Sequence, residues 1–357
     1  MVMLYSSSMF DAGARFLTKQ LIWCALGLVG CVVVASIDYR HFKKISWLLL
    51  LVAIILLVLV LVPGFGLRVK GARRWLSFGH LGLQPSEFAK IALIICLAHY
   101  GERYQRHMRT FFRGILLPGL IIGAVLGLIF VEPDRGTTIL LVLVSGIMLV
   151  IGGVRWRFII PPALAVVAAL AFSFWHDPMR SDRIYSWLHL EETKQGKGLQ
   201  AYQAMVALGS GGWTGVGLGN GRQKLGFVPE HHTDFIFAMV GEELGLIATI
   251  AVLLGFVLIV VCGIYISSRA HDPFGLLLGS GLTFLIGLQA FINMGVVTGA
   301  LPNKGMALPF ISYGGSSLIV LLIAVGLLLS VARLASDTER IKTIQNPFAE
   351  MPSSQET

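Results

Sequence analysis

Charge is what this sequence has least of. Asp, Glu, Lys and Arg make up 13% of its 357 residues, where a soluble domain carries about a quarter. Cysteine is nearly as scarce. The four thiols, Cys24, Cys31, Cys96 and Cys262, fall inside apolar stretches, and no CxxC pair occurs. That excludes a disulfide framework or a thiolate metal cluster and leaves small apolar packing residues. The opening "MVMLYSSSMF" lacks the basic flank and apolar segment of a secretory signal, so none is expected. No P-loop occurs, and "GVGLGNG" at 215–221 fails the GxGxxG spacing, so nucleotide binding has no support. The formal net charge of +9 would suggest nucleic acid in a soluble protein. No aromatic-and-basic module accompanies it, and no nucleic acid partner is expected.

What fills the sequence instead is hydrocarbon: 55% of residues are hydrophobic. Apolar runs predict an all-α, polytopic membrane protein. Spans are expected at Leu17–Ile37, Ile45–Leu67, Phe88–Tyr100, Gly114–Val131, Thr137–Val154, Phe158–Trp175, Phe235–Ile266, Gly275–Val297 and Ser317–Ala335. "MVMLYSSS" reads as the tail of one further helix. Residues 1–335 form a single integral membrane domain, and 336–357 a cytoplasmic tail. Basic residues are denser in one set of alternate loops, which places that set in the cytoplasm. The long interval 176–234 then becomes a large extracytoplasmic loop. Within it "LQAYQAMVAL" predicts a short amphipathic helix, ended by "GSGG".

The outward loops keep cations against the topological bias: Arg68, Lys70, Arg73 and Arg74; Arg135; Arg222 and Lys224; and Lys304. Four loops sharing this feature point to an anionic ligand on that face. Asp234 lies at the lip of a span, where partial desolvation favours a general base. The same position also suits a helix N-cap. His231 and His232 precede it without any HExxH or spaced ligand set. No dedicated metal site or cofactor is expected; a divalent cation, Mg or Mn, would be shared with ligand phosphates. Glu242 and Glu243 lie about two turns inside the span. Carboxylates there mark a polar cavity or pathway, or pair with a basic residue. Glu87 and Lys90 form either an i,i+3 ion pair or a ligand contact. Lys304, Ser312 and Tyr313 sit in "GALPNKGMALPFISYGGSSL", whose prolines and glycines break helix at membrane depth.

Four stretches carry a resemblance: "GVGLGNGRQKLGFVPEHHTDFIFAMVGEELG", "GARRWLSFGHLGLQPSEFAK", "EPDRGT" and "LPNKGMALPFISYGGSSL". They resemble the SEDS family of bacterial membrane glycosyltransferases, over nearly the whole chain. "IDYRHFKK", "GLGNGRQKLG" and "NKG" look more like its cell-division branch than its elongation branch. The resemblance implies a ten-helix fold, of which the first helix is here largely missing. It implies polymerisation of lipid II at the outer face of the bacterial cytoplasmic membrane, at the division septum. The implied partners are a class B penicillin-binding protein and other division proteins. Asp234 matches the family's essential aspartate, Arg74 its GA-x-RW motif, Glu87 and Lys90 its QPSEFAK motif, and Lys304 its TKG motif. His232, Glu242, Ser312 and Tyr313 complete the expected substrate contacts. Arg135 departs from PD-x-GT, adding a positive charge beside the site. A lipid II transporter is the competing reading, since a basic cavity and intramembrane glutamates suit it too. A scaffold that only recruits division proteins is a third.

Overall fold

The computed structural model describes residues 2–6, 15–69, 72–78, 81–175, 178–223 and 233–345. Helices dominate. In chain order they are α1 (Arg15–Ser36), α2 (Arg40–Leu61), α3 (Pro85–Arg103), α4 (Leu117–Val131), α5 (Arg135–Ile151), α6 (Trp156–Trp175), α7 (Pro178–Leu188), α8 (Leu190–Thr193), α9 (Leu199–Ser210), α10 (Ile236–Ser268), α11 (Pro273–Val297) and α12 (Gly315–Gln345). Residues 2–6 are also helical. Each of the nine expected spans contains a helix, although the second helix ends at Leu61, short of the expected Leu67. The last runs past its expected end at Ala335, so part of the predicted tail is helical. Among the described residues, five helices are long and apolar enough to cross a membrane on those grounds alone. Shorter apolar helices stand at Ser46–Leu61, Arg135–Ile151 and Trp156–Ala169.

Two helices form the centre. α3 begins with Pro85 at its first turn, carries Glu87 in that turn and ends on Arg103, an order that suits the helix dipole. Most of its residues are buried, including Ala89, Ala92, Leu93, Cys96 and Ala98. α11 is buried over most of its length as well. Small residues let the outer helices close on each other. A Cβ at Gly27 of α1 would stand 2.5 Å from Leu322, and one at Gly326 of α12 would stand 2.6 Å from the Cys31 carbonyl. Such contacts replace the hydrophobic drive that lipid cannot supply between helices.

The loop between α2 and α3 departs from an all-helical reading. It folds as an antiparallel sheet, β1 (Gly66–Val69), β2 (Ala72–Phe78) and β3 (Leu81–Leu83), in the order β1-β2-β3. Leu67 faces Trp75, and Leu76 faces both Gly66 and Leu83. The glycine at Gly82 lets the Trp75 ring lie 3.3 Å from its would-be Cβ. Charge density in "RVKGARRWLSF" hid this strand pattern.

The described residues of the interval 176–234 include helices. α7, α8 and α9 lie in it, α9 where the amphipathic segment was expected. α10 is bent: Gly245 has φ 76° and ψ −171°, non-helical values inside a 33-residue helix. Only glycine adopts that conformation readily.

Candidate active site

Hydrogen bonds link polar side chains of α3 and α11 to the segments at 233–234 and 306–312. Lys90 and Glu87, both almost fully buried on α3, form an ion pair of 2.8 Å. The Lys90 ammonium also donates to Gln289 of α11 at 3.2 Å. Gln289 in turn donates to the Ala307 carbonyl at 3.0 Å. One turn along α11, the Asn293 amide donates to the carbonyls of Met306 (2.6 Å) and Asp234 (2.8 Å). Gln289 and Asn293 were missed in the sequence. Two carboxamides at i,i+4 inside an apolar span are the signal that could have found them.

The residues around Asp234 are held from three sides. Asn293 takes its carbonyl, and the Ser312 hydroxyl donates to the Thr233 carbonyl at 2.6 Å while accepting the Leu308 N–H at 2.8 Å. Ser312 therefore positions this segment through its donor and one of its two acceptor lone pairs. The half-buried Asp234 carboxylate faces Gly305, where an added Cβ would stand 2.7 Å from Oδ2. Gly305→Ala is therefore expected to displace the carboxylate. Turnover should fall at least about tenfold while thermal stability in detergent stays unchanged, a split read by activity and melting of the same preparation. Lys304, next in the chain, lies near Arg135, and burial together with that charge lowers its pKa. Lys304 and Arg135 are thus close enough to interact, and Lys304 precedes the glycine that faces Asp234. Tyr313 packs its ring 4.8 Å from Phe16, and burial raises the pKa of its hydroxyl.

Arg74 of β2 reaches the turn between α4 and α5. Its guanidinium donates to the carbonyls of Glu132 (3.0 Å) and Pro133. Asp134 caps α5, accepting the Thr137 N–H at 3.2 Å and hydroxyl at 3.0 Å, and Gln84 donates to it at 3.3 Å. The turn and sheet are therefore one clamp, to which Arg74 commits two of its five N–H donors. Glu132 in this turn is fully buried with both carboxylate oxygens lacking a hydrogen bond. Burial, then the Asp134 charge, pushes its pKa up to about 8 against the pull of Arg74. A raised carboxylate pKa means the native state keeps a proton that the unfolded chain releases, so stability falls as pH rises from about 4.5 to about 8. Glu132→Gln is expected to remove that slope: its melting temperature should exceed that of the wild type at pH 8.5 and match it near pH 4.5.

Glu242 and Glu243 hold a loop. The Glu242 carboxylate accepts the backbone N–H groups of Arg222 (2.7 Å) and Gln223 (3.2 Å). Glu243 accepts the Gly219 N–H at 3.1 Å and the Ser6 hydroxyl. The bend at Gly245 accompanies two α10 carbonyls, of Glu242 and Glu243, that accept the N–H groups of Val216 and Gly217. A Cβ at Gly215 (φ 81°) would collide with the Glu243 carbonyl, and one at Gly221 would meet the Glu242 carboxylate at 2.9 Å. These close approaches account for Gly215 and Gly221, and the Glu242 carboxylate holds the loop that carries them. His232 and its neighbour His231 lie outside the described residues. Among the described residues, no group of three or more His, Cys, Asp or Glu is placed to hold a metal.

A family model described as "Cell cycle protein", covering FtsW, RodA and SpoVE, matches residues 1–337. The chain belongs to that family. It is 42% identical over 337 residues to a probable peptidoglycan glycosyltransferase FtsW from Trichlorobacter lovleyi, covering 93% of this chain and 88% of the relative. It is 38% identical over 342 residues to one from Pseudomonas fluorescens, covering 94% and 84%. Its fold matches a chain from a peptidoglycan synthase complex studied for the coordination of polymerization and crosslinking. The TM-score is 0.76 at 26% identity, with 94% and 95% of the two chains covered. The rod shape determining protein RodA from Thermus thermophilus matches with a TM-score of 0.69 at 26% identity, covering 93% of each chain. The chain is thus a polytopic membrane protein of this family, as its sequence motifs implied.

Proposed function

We propose that the protein is a peptidoglycan glycosyltransferase that joins lipid II units into glycan at the outer face of the bacterial cytoplasmic membrane, serving septal synthesis. The observation that carries this reading is the Asp234 carboxylate facing Gly305, the residue after Lys304, whose ammonium is in turn close enough to Arg135 to feel its charge. Asp234 takes the proton from an acceptor sugar hydroxyl. That oxygen forms the new bond to the anomeric carbon of the donor, whose bond to the lipid diphosphate breaks. Lys304 and Arg135 offset the negative charge gathering on the leaving diphosphate. Lys90 acts through Gln289, by holding the 304–308 segment. Arg74 acts through the 132–134 turn on which Arg135 stands. If a divalent cation is used, Asp234 is the residue that would hold it, and it would supply positive charge to the diphosphate. The partner is a class B penicillin-binding protein transpeptidase, which crosslinks the strands.

The test is incubation of the purified protein and its partner with fluorescent lipid II. A ladder of glycan products supports the proposal. Movement of the lipid across vesicles with no ladder would favour the transporter instead.

A further inference from the structure

A second cavity lies outside the Asp234 site. It has a volume of about 470 Å³ and opens between α7, the start of α9 and the segment following α11. That size is within the range of pockets for small molecules. Its wall combines an aromatic face, Trp187, two carboxamides, Gln200 and Asn303, and two cations, Arg183 and Lys197, with one acid, Asp182. Lys197 pairs with Asp182 at 2.5 Å, so Arg183 supplies the surplus positive charge. The Trp187 indole N–H donates to the Gly299 carbonyl at 2.7 Å, which fixes the ring. Asn303 donates to Gln200 at 3.3 Å, closing one side.

The cavity is coupled to the reaction centre by the chain itself. Asn303 lines it, Lys304 follows, and Gly305 carries the Asp234 carboxylate. Asn303 and Gly305 are two residues apart, so their Cα atoms are separated by at most about 7 Å. That is on the order of one sugar ring. The cavity wall and the glycine that faces Asp234 therefore lie on one short stretch of backbone.

We propose that this cavity is a subsite for an N-acetylated amino sugar bearing an acidic peptide. The inference rests on the polymerase reading above for the identity of its ligand. The Trp187 ring offers a rigid apolar surface to a pyranose face. Gln200 and Asn303 provide donors and acceptors for hydroxyl and acetamido groups. The Arg183 guanidinium, exposed at the rim, meets a peptide carboxylate in a charge-assisted contact. Such a subsite would set the register of the substrate against Asp234, since binding away from the reacting atoms orients them.

The test is binding of a soluble disaccharide–peptide, N-acetylglucosaminyl-N-acetylmuramyl pentapeptide without lipid or diphosphate, to the purified full chain by titration calorimetry. Wild type and Asp234→Asn should bind equally. Arg183→Ala should weaken binding at least about tenfold, and Gln200→Ala by a smaller factor, with unchanged melting temperatures. A tetrasaccharide of the same repeat distinguishes two sources of this chemistry. Tighter binding than the disaccharide assigns the subsite to the growing strand, and equal binding assigns it to the single lipid-linked unit. Absence of saturable binding by the wild type, or wild-type affinity in both Arg183→Ala and Gln200→Ala, overturns the subsite. Neutral chitobiose binding as tightly as the acidic ligand overturns the carboxylate contact. Binding needs no turnover, so a wild type that binds but makes no glycan leaves the subsite standing and removes the polymerase reading.

Discussion

Lys90→Met is expected to destabilise the folded protein by about 3–5 kcal/mol. The loss follows from what remains, more than from what is removed. Glu87 and Lys90 are 6% and 1% exposed and pair at 2.8 Å. Without the ammonium, the carboxylate stays buried with no cation against it. Gln289 also loses the donor on its carbonyl oxygen, which loosens its hold on the Ala307 carbonyl. The double variant Glu87→Gln/Lys90→Met removes both charges together and should regain most of the stability. It should still turn over slowly, since the 304–308 segment has lost its brace. Thermal unfolding in detergent, paired with activity, reads both effects. A single variant that melts like the wild type would show that the pair carries no structural load.

The helical architecture was legible because hydrocarbon spans need long apolar runs, and each of the nine runs contains a helix, the second stopping at Leu61. The site was legible in part. Glu87 and Lys90 stood out because ionisable residues are costly within a span, and the ion pair was one of the two readings their spacing allowed. Asp234 stood out at a span boundary, and the structure places its carboxylate on Gly305. Three features could not be read. The sheet at 66–83 was hidden because its strands are short and three arginines interrupt the first two. The bend at Gly245 was hidden because one glycine inside an apolar run is tolerated by a straight helix as readily as by a bent one. The role of Glu242 was hidden because its partners are backbone N–H groups of Arg222 and Gln223, which every sequence carries. Gln289 and Asn293 show the opposite failure: their spacing was visible, but uncharged amides drew no notice beside nearby charges.

Asp234→Asn tests the chemistry with the least disturbance to the fold. The backbone carbonyl that Asn293 holds is kept, and an amide occupies the same volume against Gly305. What is lost is the basic oxygen. Loss of a positioned general base costs on the order of a thousandfold in rate. The neighbouring Lys304 and Arg135 remain to bind anionic diphosphate, so lipid II should still bind. The deciding measurement is glycan formation from fluorescent lipid II by wild type and Asp234→Asn, each with the class B penicillin-binding protein partner and each shown to melt at the same temperature. A ladder from the wild type and none from the variant is the result expected. Equal ladders from both would contradict the assignment of Asp234 as the base.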